Sequence, residues 1–149
     1  MDCPWQWTDP IIDFKMGVSF KKDLMVRWVE DIGKFLRIWI EGYDAFAEPS
    51  DPALFADAYQ KFFDKDRNFY LQLSDDELTS YSREELQGQQ LHPLALTFFF
   101  DGLNVQGEEQ HNLLRKAKLL LNLAMAETAS FSFQDYQYLS MIDSKLNNQ

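Results

Sequence analysis

The sequence predicts an all-α protein, a single-domain antiparallel array of helices, and three observations carry that prediction. Apolar residues recur at three- and four-residue spacing through most of the chain. The breaks between those runs hold helix starts and stops, as in EPSDP, SDDE and the segment around Gly107. The chain has 149 residues, of which 46% are apolar and 15% aromatic, which is enough for one core and too apolar for a disordered chain. The domain is expected over residues 19–149, behind an aromatic-rich arm at residues 1–18.

The first helix is read from KKDLMVRWVEDIGKFLRIWIEG, residues 21–42. Leu24, Met25, Trp28, Val29, Ile32, Phe35, Leu36 and Trp39 form one stripe at helical spacing. Asp23 with Arg27, Glu30 with Lys34, and Arg37 with Glu41 stand four apart on the opposite, watered face. Ser19 or its neighbours are placed to cap the start, and Gly42 to end the helix. Val26, Ile38 and Ile40 add apolar surface beyond the stripe, and Gly33 leaves a notch for another backbone. A helix wet on so narrow a face contacts two elements, either both internal or one of them from another subunit.

After EPSDP, where Ser50 or Asp51 caps and Pro52 suits the first helical position, a second helix is expected from about Pro52 to Asp64. Its inner face is Leu54, Phe55, Ala58, Tyr59, Phe62 and Phe63. Residues 66–73 are too short for an assignment. SDDELTSYSREEL holds two reciprocal cap patterns, Ser74 with Glu77 and Ser82 with Glu85, which predict two short helices in tandem.

LHPLALTFFFDGLNV is ambiguous, because Asp101-Gly102 between apolar runs also suits a hairpin turn. Pro93 as a helix start, the absence of alternation in LALT and the shortness of LNV favour a helix over residues 93–106, apolar all round and therefore central. Gly107 ends it. EEQHNLLRKAKLLLNLAMAET then forms a long helix with Glu108 and Glu109 in its first turn, where acids complement the dipole. The short link forces an antiparallel pair. A last helix is expected from Phe133 to about Leu146, started by Ser132 with Asp135.

This pair, LALTFFFDGL and EEQHNLLRKAKLLL around Gly107, resembles a tetratricopeptide-type helical hairpin in the C-terminal half. In that family small residues on the first helix, a glycine at the turn and an alanine on the second allow close packing, and Ala95, Gly107 and Ala117 occupy those places here. The spacing from Gly107 to Ala117 is shorter than the family pattern, and a period of about 34 residues does not recur. FKKDLMVRWVEDIGKFL also resembles the opening helix of small bacterial helical proteins that carry such a tail. The resemblance implies a fold and no activity.

The formal charge is −10, from 24 acids and 14 bases, so nucleic acid and anionic lipid are poor partners. No run of apolar residues reaches the length that spans a membrane. A single cysteine, Cys3, and a start without a basic region ahead of an apolar core lead to cytoplasmic residence as the expectation.

Glu108 and His111 stand three apart on one helix face, the spacing that di-iron bundles use, and acids such as Glu30 or Glu127 would have to complete a metal-binding or enzymatic site. With only His92 and His111 in the chain, and His92 read as a loop residue, no catalytic set assembles and no cofactor is expected. The expected function is therefore non-enzymatic protein–protein interaction or self-association, including a homodimer. Its candidate residues are Trp5 and Trp7 in the arm and Trp28, Trp39, Ile38 and Ile40 on the first helix.

Overall fold

The computed structural model describes residues 18–44, 52–128 and 132–147. These form α1 (Val18–Asp44), α2 (Pro52–Phe63), α3 (Arg67–Gln72), α4 (Asp75–Glu85), α5 (Gly88–Leu103), α6 (Gly107–Thr128) and α7 (Phe133–Asn147). No strand occurs among the described residues, so the all-α array is the fold. Trp5, Trp7 and the rest of the arm lie outside the described residues.

The hairpin alternative for residues 94–105 fails, because residues 94–103 lie in the central helix α5. Every residue from Pro93 to Gly102 is buried, as an element apolar all round requires. Both boundaries differ from expectation, and the helix ends at Leu103 instead of residue 106. The helix starts at Gly88, five residues before Pro93, because the Gln87 N–H donates to the Gln90 side chain at 2.8 Å and closes the start there. Pro93 then removes only the donor to the carbonyl of Gln89, an exposed residue whose carbonyl water can reach. His92 is consequently a helix residue and not part of a loop.

Helix α6 runs back along α5, and the turn between them depends on Gly107, whose φ of +73° favours a residue without Cβ. Gln110 secures this turn, donating from Nε2 to the carbonyls of Gly102 and Val105 at 2.8 Å each. The closest approach of the pair is at Gly102, where an added Cβ would stand 2.9 Å from Leu114 Cδ2 and 3.3 Å from Leu113 Cβ. Helix α7 returns parallel to α5, with Tyr138 against Phe99 and Phe100 and Lys118 of α6 bonded to Asp143 at 2.7 Å. Ser132 starts it by accepting from the Asp135 N–H.

Only one of the two expected cap pairs forms. Ser74 and Glu77 bond reciprocally and start α4, which then continues through Ser82 to Glu85 as one helix. Ser82 is buried in mid-helix, so the tandem reading is corrected: the apolar contacts of Leu78 and Tyr81 keep the helix going past a potential second start. Helix α1 likewise passes through Gly42 to Asp44, since a glycine inside a helix costs only about 1 kcal/mol. Pro52 opens α2 as expected, and Asp64, at φ +68°, closes it.

Helices α1 and α2 run antiparallel and are held by rings. Trp39 stacks on Phe55 with centroids 4.5 Å apart, Phe35 meets Phe62 edge-on, and Trp28 sits between Phe62 and Phe63. The indole N–H of Trp28 donates to the Phe62 carbonyl at 2.9 Å, satisfying a polar tip with no access to water.

Candidate interaction surface

The same helix that delivers Trp28 and Trp39 inward carries apolar side chains outward. Val26 is 52% exposed, Val29 39% and Ile38 63%, while Ile40 is half-buried. Val29, read as part of the inner stripe, is thus at the surface: 3.6 residues per turn displace it from Trp28 by about 100°. Trp28 (0% exposed) and Trp39 are interior residues, so of the first helix's candidate contact residues only Ile38 and the rim of Ile40 reach the surface.

The outer residues are ordered. Val26, Gly33 and Ile40 are seven apart and Val29 falls between them, so these four line one edge of α1, a seam beside the buried Leu36, with Ile40 partly packed against the core. A Cβ placed on Gly33 would have no neighbour within 4 Å, so the seam is open at its centre. Exposed charges border one side, Glu30, Lys34, Arg37 and Glu41 nearest the seam, with Arg27 and Asp31 further round the helix. Ile38 lies off the seam, on the face that carries Arg27 and Asp31.

The interior holds polar chemistry that the sequence reading missed. Asp101, 1% exposed, accepts from Tyr59 at 2.7 Å and from Arg67 Nε and Nη2 at 2.8 and 3.0 Å, and Arg67 reaches on to Glu109 at 2.9 Å. Burial chiefly, with the Asp101 charge adding to it, raises the Tyr59 phenol well above its ordinary pKa, and the bond to Asp101 raises that of Arg67 above its already high ordinary value. Close by, Lys116 donates to the Leu73 carbonyl and to Asn112, which itself donates to the Leu71 carbonyl. Burial lowers the pKa of this ammonium. Tyr70 and Tyr81 share a hydroxyl contact of 2.8 Å, and burial raises both phenols. The groups around Asp101 and Lys116 tie α3 and its flanks onto α5 and α6, and the Tyr70–Tyr81 contact ties α3 to α4. The signal was present in FFFDGL, since an acid inside an all-round apolar helix demands a cation.

The two histidines do not meet. His92 Nε2 contacts Asp135 Oδ1 at 2.7 Å, joining α5 to α7. His111 Nε2 is buried without a protein hydrogen-bond partner, and Glu108 is exposed. Among the described residues no three His, Cys, Asp or Glu side chains gather where they would hold a metal ion, which leaves the Glu108–His111 pair without further ligands. No helix among them is long and apolar enough to cross a membrane.

Comparison of the chain with protein-family models, curated proteins and solved structures returned no match. The class the geometry defines is a helical array with a cross-braced interior and an apolar edge on its first helix.

Proposed function

We propose that this protein is a non-enzymatic helical interaction module, of tetratricopeptide-like build in its C-terminal half, and that it acts from within the cytoplasm on a protein partner or on itself. The observation that carries this reading is the outer seam of α1, where Val26 and Val29 stand in water beside an open Gly33. Burying such a seam against another protein gains roughly 25 cal/mol for each Å² of apolar surface removed from water. The close pairing of α5 and α6 at Gly102, with Ala95 and Ala117 both buried, supports the tetratricopeptide-like comparison. Acidic charge argues against nucleic acid and anionic membranes as the partner.

The test compares the full-length chain with its Val26→Ser/Val29→Ser variant, by sedimentation velocity for self-association and by affinity capture for other partners. Because both valines lie outside the core, the variant is expected to keep its melting temperature and lose association. If neither form of association differs between the two proteins, the reading fails.

A further inference from the structure

We draw no further inference here: the strongest candidate, the apolar edge of α1 at Val26, Val29 and Gly33, belongs to the interaction surface already described, and nothing among the described residues shows what covers it.

Discussion

Arg67 lays its guanidinium along the Asp101 carboxylate, Nε to Oδ2 at 2.8 Å and Nη2 to Oδ1 at 3.0 Å, and so clamps the short helix α3 to the centre of the molecule. A six-residue helix has little stability of its own, so this two-point bond and the Asp66 cap hold it in place. Asp101→Asn leaves Arg67 facing a neutral amide in a buried site. The expected loss is about 3–5 kcal/mol, or roughly 10 °C in melting temperature. Glu109→Gln, at the solvent end of the same guanidinium, should cost about 1 kcal/mol or less. Replacing the whole set by Tyr59→Phe, Arg67→Met and Asp101→Leu should do less harm than Asp101→Asn alone, because no buried charge is left behind. Thermal denaturation followed by circular dichroism ranks the three.

The buried phenols predict how stability falls in alkali. Tyr59, Tyr70 and Tyr81 have folded pKa values raised above the ordinary 10.0, so between that value and the folded one the native state holds protons that the unfolded chain has released. Their contribution is whole below about pH 10 and is lost as pH climbs through the folded values. Lys116 runs the other way. Its folded pKa is lowered, so the cost of burying its charge is present in acid and relieved as pH rises towards 10.5. Three groups against one give a net fall in melting temperature above pH 10, and Tyr70→Phe together with Tyr81→Phe should make that fall shallower. A flat melting profile from pH 9 to 11 would contradict the burial of these hydroxyls.

Two glycines fail to tolerate a side chain for different reasons. Gly102→Ala forces Leu114 and Leu113 away and should cost about 1–2 kcal/mol after the gain in helix propensity, with Gly102→Val worse. Gly107→Ala meets no neighbour, yet its positive φ costs about 1–2 kcal/mol, and Asn should be tolerated better there. Urea midpoints of the four variants separate crowding from backbone strain.

The tryptophans are expected to report on the fold and not on the surface. Trp39→Ala removes the ring stacked on Phe55 and should lose about 3–5 kcal/mol. Trp28→Phe keeps much of the apolar body but strips the bond to the Phe62 carbonyl, costing about 1–3 kcal/mol. The check is whether sedimentation of Trp28→Phe, while it remains folded, matches the wild type.

Much of this architecture was legible because it is local. Ser74 with Glu77, Pro52 at its helix start and Gly107 at its turn act within a few residues, through amide donors and φ angles that neighbouring side chains decide. The misreadings share a cause. Ser82 has the same pattern as Ser74, yet Leu78 and Tyr81 in the turn before it are buried, and continuing the helix wins. Pro93 resembled a start until the Gln87–Gln90 bond supplied an earlier one.

What periodicity settled was the presence and kind of the long helices, the order of charges along α1, and the excess of apolar surface on that helix. What it left open was which part of the excess would be covered. Trp28 and Val29 are adjacent in sequence and equally apolar in pattern, but α2 lies across one and not the other. The same holds for Asp101, whose partners Tyr59 and Arg67 are 42 and 34 residues away. Helices form from interactions a few residues apart. Burial and charge pairing depend on which helix lies alongside, and only the packing of α1, α2, α3 and α5 against one another decides that.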